Sequence, residues 1–361
     1  DDIASSSDNG PHAILVAPGA YVGDAVIADL PRLQGLEIIG IKAGVPDDGR
    51  TPSIGTDEST IEGQLLILAD GVTVDGLRFV EGGSSSFGQS AIAVAGENTT
   101  IKNSLFYRSG PVDGDSYRGI EVTTSALGTA TVTDNAFAGW ATGTYVNPGV
   151  TALITGNAFS GNFVGLSIDG PVVASDISGN DFTNNVFEQI GVGAIGDIDV
   201  GQVVGANTFS GTAPEVGIYP LGGSGQVIGG TAHDDVFNGD INSNAQAFSG
   251  GDGNDIINGG SGDETLNGDA GEDLITGGAG SDAIDGGSDN DTIVYEASSE
   301  FGAAESVDGG DGSDTIVFNG SGTDVLELHD VSNVEKLVLG NSDDIGVDAS
   351  DMSVTQGLTI T

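Results

Sequence analysis

Residues 250–294 read GGDGNDIIN, GGSGDETLN, GDAGEDLIT, GGAGSDAID and GGSDNDTIV, five nine-residue units with nothing between them. In each unit the first six residues are glycine, small or acidic. The last three place one large apolar residue, Ile257, Leu266, Ile275, Ile284 or Ile293, between two others. The pattern is a turn followed by a very short strand. Such a strand cannot bury its apolar side chain alone, so units must stack, each Ile or Leu covering the next. Two units then make one flattened coil of eighteen residues. Turns two units apart fall on the same edge, which sets Asp255, Asp273 and Asp291 in one column and Glu264 and Asp282 in another. Carboxylates stacked at strand spacing, about 4.8 Å, repel unless a cation lies between them. Calcium suits carboxylates combined with the carbonyls of glycine turns, because it takes six or more hard oxygen ligands in flexible geometry. A disordered acidic linker would not keep Ile or Leu at position eight five times running.

These units resemble the RTX nonapeptide array, GGxGxDxUx, a calcium-loaded parallel β-roll. The resemblance extends to GGTAHDDVF at 229–237 and GGDGSDTIV at 309–317. It implies that each ion lies between two stacked turns. The ion takes the position-six carboxylate of both, carbonyls of positions two and four from one turn, and carbonyls of positions one and three from the other. One site would use Gly251, Gly253 and Asp255 with Gly268, Ala270 and Asp273. Carried along the array, the implied ligands are Gly230, Ala232 and Asp234; Gly250 and Asp252 beside Gly251, Gly253 and Asp255; Gly260, Gly262 and Glu264; and Asp269 and Gly271 in the unit of Asp273. Further on they are Gly277, Gly278, Ala279, Gly280 and Asp282; Gly286, Ser288 and Asp291; and Gly309, Asp311 and Asp314. The units depart from the pattern at Glu264 in position six, Asp269 in position two, and Ala232 and Asp289 in position four.

Charge narrows the function. The chain has 54 acidic and 8 basic residues, a formal net charge of −46, and from Gly229 onward 28 acids face a single base, Lys336. Such a chain is not attracted to phosphate backbones, which excludes nucleic acid as a partner. Without cysteine, disulfides contribute nothing, and metal is the available staple. The millimolar calcium range of extracellular modules places the protein outside the cell. No apolar run reaches the length of a membrane span, and the opening DDIASSSDNG is no signal peptide. The N-terminus is therefore already processed, or export needs no N-terminal signal; the RTX resemblance implies the latter, through type I secretion.

Upstream, AILVAPGAYVGDAVIADLPRLQGLEIIG breaks short apolar alternations with PG, GD and QG, so strands with tight corners are expected. This segment, STIEGQ and ADGVTVDGLRFV resemble the coils of right-handed parallel β-helices of the pectate-lyase-like class. A second, looser repeat follows: Val74/Phe79, Ile101/Phe106, Val132/Phe137, Ile154/Phe159, Ile177/Phe182 and Val204/Phe209 keep one spacing, and Asn135, Asn157, Asn180 and Asn207 stand two before the last four Phe. Phe-to-Phe intervals of 22 to 31 residues fit one coil of a three-sided helix with variable loops. A Phe stack inside and an Asn ladder at one corner are expected, with Asn taking the left-handed bend there.

The expected fold class is all-β: a right-handed parallel β-helix over 1–228 continuing as one solenoid into an RTX parallel β-roll over 229–318. Residues 319–361 form a C-terminal β cap or the start of a further segment. If the irregular stretches near 238–249 and 295–308 are bulged turns, Asp234 lies above Asp255 and Asp314 beside Asp282. The chain stops on a strand-like run, whose open edge is expected to be continued or docked.

Catalytic signals are sparse. The loop YRSGPVDGDSYRG concentrates Arg108, Asp113, Asp115, Tyr117 and Arg118. In β-helix polysaccharide lyases and uronate epimerases a base takes the proton α to a carboxylate while cations stabilise the enolate. Arg108 or Arg118 would serve as cation and Tyr117 as acid or base, with Asp115 beside them. The competing reading is a loop with ordinary surface ion pairs. His12, His233 and His329 make no zinc pattern, and Ser84 to Ser86 have no elbow motif or nearby His. Two functions stand: a secreted, calcium-dependent surface-layer, matrix or adhesin-type protein, and a secreted lyase or C5-epimerase on acidic polysaccharide. The partners expected are calcium, and either other copies of the chain in a lattice or filament or a cell-surface polysaccharide.

Overall fold

The computed structural model describes residues 12–43, 58–80, 90–109, 117–123, 128–169, 176–194, 198–199, 207–211, 216–220, 225–239, 246–301, 305–320, 325–340, 346–348 and 359–360. Among them there is no α-helix, only strands and two short 3-10 turns at Pro31–Leu33 and Ser298–Glu300. Every described strand pairing is parallel, between strands one coil apart. The chain divides into two compact units, residues 1–191 with 203–213, and residues 192–202 with 214–361.

In the first unit each coil contributes one strand to each of three sheets, as Thr129–Thr133, Ala136–Ala138 and Thr142–Val146 do. Registers are exact from coil to coil, so like residues stack. Phe79, Phe106, Phe137, Phe159, Phe182 and Phe209 pair in one row. Successive rings are nearly parallel, with centroids 4.7 to 5.4 Å apart. Val74, Ile101, Val132, Ile154 and Ile177 form a second row, and both rows are almost wholly buried apart from Phe209, which is half-buried. Val204, expected opposite Phe209, lies outside the described residues. Full burial of one Phe stabilises by about 1.5–3 kcal/mol, so a short strand is held mainly by the copies above and below it.

The Asn corner corrects one expectation. Asn135, Asn157, Asn180 and Asn207 do form a ladder, each Nδ2 donating to the next Oδ1 at 3.0 Å. The left-handed backbone, however, falls on the preceding residue: Asp134 (φ 55), Gly156 (φ 68) and Gly179 (φ 67). Separating the bend from the ladder leaves the Asn side chain free to bridge coils. Asn157 Oδ1 accepts the Asn135 backbone N–H at 3.0 Å, and its Nδ2 also donates to the Val132 carbonyl at 2.8 Å. The same device recurs at a second corner, where Gly161 and Asn184 bend and Asn162 and Asn185 ladder at 3.0 Å.

The second unit has two inward rows. Phe237, Ile257, Ile275, Ile293, Ile316 and Leu337 pair in one sheet. Ile228, Phe248, Leu266, Ile284, Val307 and Val331 pair in the other. The eighteen-residue coil lengthens where a turn bulges, and the Ser298–Glu300 turn absorbs one such excess. Pairing of Phe237 with Ile257 makes Phe237 the eighth residue of its unit, so Asp235, not Asp234, takes the sixth position. Strands Val216–Pro220 and Gln226–Thr231 already pair within this unit, ahead of the boundary expected at 228. Lys336–Leu339 and Thr359–Ile360 extend the same sheet, so the segment after 318 belongs to this unit.

Asn157→Ala tests the ladder. It leaves a buried N–H on Asn135 and the Val132 carbonyl without their partners and should cost about 2–4 kcal/mol of stability, read as a lowered midpoint in denaturant; a change below about 0.5 kcal/mol contradicts a structural role.

Candidate functional site

The turns of the second unit stack their position-six carboxylates into two columns. In the first, the backbone N–H of Asp235 donates to Asp255 Oδ1 at 2.7 Å, that of Asp255 to Asp273 Oδ1 at 2.7 Å, that of Asp273 to Asp291 Oδ1 at 2.9 Å, and that of Asp291 to Asp314 Oδ1 at 2.8 Å. In the second, the Glu264 N–H donates to Asp282 Oδ1 at 2.9 Å and the Asp282 N–H to Glu305 Oε2 at 3.0 Å. One oxygen of Asp255, Asp273, Asp282, Asp291 and Asp314 is thereby fixed in orientation. The other has no donor: Oδ2 of Asp255, Asp273, Asp282, Asp291 and Asp314 and both oxygens of Glu264 are buried without a hydrogen bond. These residues are 0 to 2% exposed. Unpaired buried carboxylate oxygens are costly.

The turn backbone closes around those oxygens. A Cβ on Gly268 would lie 2.3 Å from Asp273 Oδ2 and 2.3 Å from the Gly286 carbonyl oxygen, so only glycine leaves this space open. Burial and then neighbouring carboxylates push Asp255 and Asp273 up to about 7. Glu264 and Glu305 are likewise raised to about 7 and Asp314 to about 6, burial again the largest cause. The donor set of paired carboxylates, turn carbonyls and no nitrogen or sulfur fits a hard divalent cation of calcium's size. Among the described residues no group of three or more His, Cys, Asp or Glu is gathered to hold a metal ion by itself.

The structure rearranges some expected ligands. Asp234 is out of the column, its Oδ1 accepting the Asn254 N–H at 2.8 Å. Asp314 continues the Asp291 column, and Glu305 takes the place on Asp282. The side chain of Asp269 turns to Ser249 Oγ and to Asn267 Nδ2 (2.7 Å), leaving only its backbone at the turn. Asp252 and Asp311 are exposed. Asp235, Glu305 and Glu335, whose Oε2 accepts the Asp314 N–H at 2.9 Å, were not expected. The apolar row identifies Asp235, since it stands two before Phe237, but Glu305 and Glu335 follow no nonapeptide and have no sequence signal.

A second polar assembly covers the outer side of the first unit. Arg118 donates from its guanidinium to Glu121 Oε1 at 2.8 Å and stacks 3.6 Å above the Tyr145 ring. The Ser90 hydroxyl and the Asn147 amide donate to Glu121 at 2.7 and 3.2 Å, and the Tyr145 hydroxyl donates to Asp169. Arg108 stacks 4.3 Å from the Tyr117 ring, and Arg78, almost fully buried, lies 3.6 Å from Glu58. Arg118 and Tyr117 thus have different stacking partners, Tyr145 and Arg108. Tyr145, Asp169, Ser90 and Asn147 come from other coils and are found only by carrying the coil register onto the third sheet. Asp113, Asp115 and Ser84 to Ser86 lie outside the described residues. Burial, then Asp169, pushes the Tyr145 hydroxyl up to about 12, so it is a poor base at neutral pH. Burial alone would raise Glu121, but Ser90, Arg118 and Asn147 together hold it below its ordinary value.

The raised carboxylates set a pH dependence. Their unfolded values lie near 4, so between about pH 4 and 7 the folded, calcium-free roll binds more protons than the unfolded chain. Stability in chelator therefore falls as pH rises through this window. Far-UV circular dichroism in EDTA should show more β-structure at pH 5 than at pH 8, and calcium affinity should weaken as pH drops below 7. More order in EDTA at pH 8 contradicts the assignment of these groups.

Comparison with known proteins agrees with this anatomy. Residues 65–232 match the family described as a right handed beta helix region, and residues 247–263 and 258–293 match the RTX calcium-binding nonapeptide repeat. No curated protein matches. Similar solved structures include a PL6 alginate lyase in complex with a trisaccharide, 16% identical over 99% of this chain and 82% of that one (TM-score 0.41). Another is a periplasmic alginate epimerase, 12% identical over 96% and 79% (TM-score 0.36). Likeness at that level assigns neither activity nor substrate. The chain carries a right-handed β-helix region and, after it in sequence, calcium-binding RTX nonapeptide repeats.

Proposed function

We propose that this is a secreted, calcium-dependent extracellular structural protein of the surface-layer, matrix or adhesin type, whose roll folds on Ca²⁺. The observation that carries the reading is the pair of carboxylate columns in which Oδ2 of Asp255, Asp273, Asp282, Asp291 and Asp314 and both oxygens of Glu264 are buried and unpaired. Such columns are stable only when cations are abundant, as at the 10⁻⁴–10⁻³ M calcium dissociation constants of extracellular modules, in order of magnitude. RTX proteins as a class are exported, which supports a secreted location. No described helix is long and apolar enough to cross a membrane. The stacked rows of Phe, Asn and Asp run from coil to coil, which supports the repeating scaffold itself as the working part. At a net charge of −46, separate molecules repel, and calcium bridging exposed carboxylates such as Asp252 and Asp311 would turn that repulsion into cohesion.

The second reading, a lyase or C5-epimerase on acidic polysaccharide, is favoured by the gathering of Arg78, Arg108 and Arg118 with tyrosines on neighbouring coils. Against it, the Arg118 charge is already matched by Glu121, and Tyr145 holds its proton to about pH 12. The enolate of a uronate would need an uncommitted cation and a competent base.

Light scattering separates the two. The structural reading expects a monomer at low calcium and sheets or filaments in the millimolar range without any sugar. A lyase would stay dispersed and release unsaturated uronate absorbing in the ultraviolet, lost in Arg118→Ala, whereas an epimerase would change uronate composition. Turnover without assembly overturns the proposal.

A further inference from the structure

We propose that the aspartate column carries a further divalent-cation site beyond the last nonapeptide, between Asp314 and the short turn Asn333-Val334-Glu335. The inference rests on the reading of the columns as calcium sites and extends it to residues outside the matched repeats. Asp314 is 0% exposed, its Oδ1 accepts the Asp291 N–H at 2.8 Å, and its Oδ2 has no hydrogen-bond partner. An inner carboxylate of the column has a neighbour on either side that can share an ion. For Asp314 the outer neighbour is Glu335, whose Oε2 accepts the Asp314 N–H at 2.9 Å, the same bond that links every pair of the column.

The backbone repeats as well. Carbonyl oxygens of Gly268, Gly286 and Gly309 lie 2.5, 2.3 and 2.4 Å from the place a Cβ would take on Gly250, Gly268 and Gly286. The Asn333 carbonyl oxygen lies 2.0 Å from that place on Gly309, so Asn333 stands where a position-one glycine would. Its φ of 52 is left-handed, a region Asn enters more readily than other side chains. Asn333 Nδ2 donates to Asp308 Oδ1 at 2.7 Å and fixes the turn. Only one residue separates Asn333 from its carboxylate, where a nonapeptide turn has four. The extra methylene of Glu lets the shortened turn still reach the column. Lys336 is the one base nearby in sequence; its side chain is exposed, and among the described residues no ion pair joins it to Asp314 or Glu335. A three-residue turn offers fewer carbonyls than a nonapeptide, so water completes the shell and this site fills last.

Two measurements on the intact chain decide it. An anomalous difference map from crystals grown in calcium should show a peak between Asp314 and Glu335 in addition to peaks between Asp273 and Asp291. Peaks at the inner turns with none here overturn the inference, and the absence of all peaks overturns the calcium reading beneath it. In native mass spectrometry at saturating calcium, Glu335→Gln, which keeps an acceptor for the Asp314 N–H, should hold one ion fewer, and Glu335→Asp, one methylene too short to reach the column from this turn, should lose the same ion. A full complement in Glu335→Gln overturns the inference. Should that variant fail to fold, the wild-type map alone decides.

Discussion

Repulsion between stacked carboxylates is the constraint on which the second unit depends. Two like charges about 5 Å apart repel by roughly 3 kcal/mol at an effective dielectric near 20, and burial adds the desolvation of each group. The turn cannot relieve this by moving one side chain, because each Asp Oδ1 is already fixed by a backbone N–H of the turn before it. Parallel stacking thus forces the charges together at every coil. Protons or cations must neutralise them, and near neutral pH the cation is the effective choice. Metal binding in such a unit is folding free energy.

The first unit solves the same stacking problem with neutral groups. An Asn amide is both donor and acceptor, so identical residues one above another attract along the axis, and parallel Phe rings fill the space inside. Its apolar rows are also larger: rings there, single Ile or Leu side chains in most of the roll. The two repeats therefore differ in what they require from solvent. One pairs its stacked polar groups with each other, and the other stacks like charges that its own side chains do not neutralise.

Much of this was legible from the primary structure because stacking makes period visible. The Phe spacing, the Asn two before it and the Ile or Leu at position eight each survive variable loops, since a missing member would open a hole in a row. Legibility failed where function passes to residues without a period. Position six beside Phe237 reads as Asp234 in the sequence because two aspartates stand side by side, and only the buried Phe237, in register with Ile257, fixes Asp235 as the one that enters the column. Glu305 and Glu335 join through bulged or shortened turns that no nine-residue rule describes. The Arg118 assembly draws Tyr145 and Asp169 from later coils, and that proximity comes from register across the third sheet. The left-handed bend falling before the ladder Asn was also missed, although the recurring Gly-Asn and Asp-Asn pairs at 134–135, 156–157 and 179–180 carry it.

The account's central claim is that calcium is required by the carboxylate columns and not by the Asn and Phe ladders. Hydrogen exchange of the intact chain at neutral pH, with calcium and then with EDTA, measures this directly. Removal of calcium should abolish protection across residues 246–318 while strands around Phe106, Phe137 and Phe159 stay protected. Loss of protection in both regions together, or in neither, would contradict it.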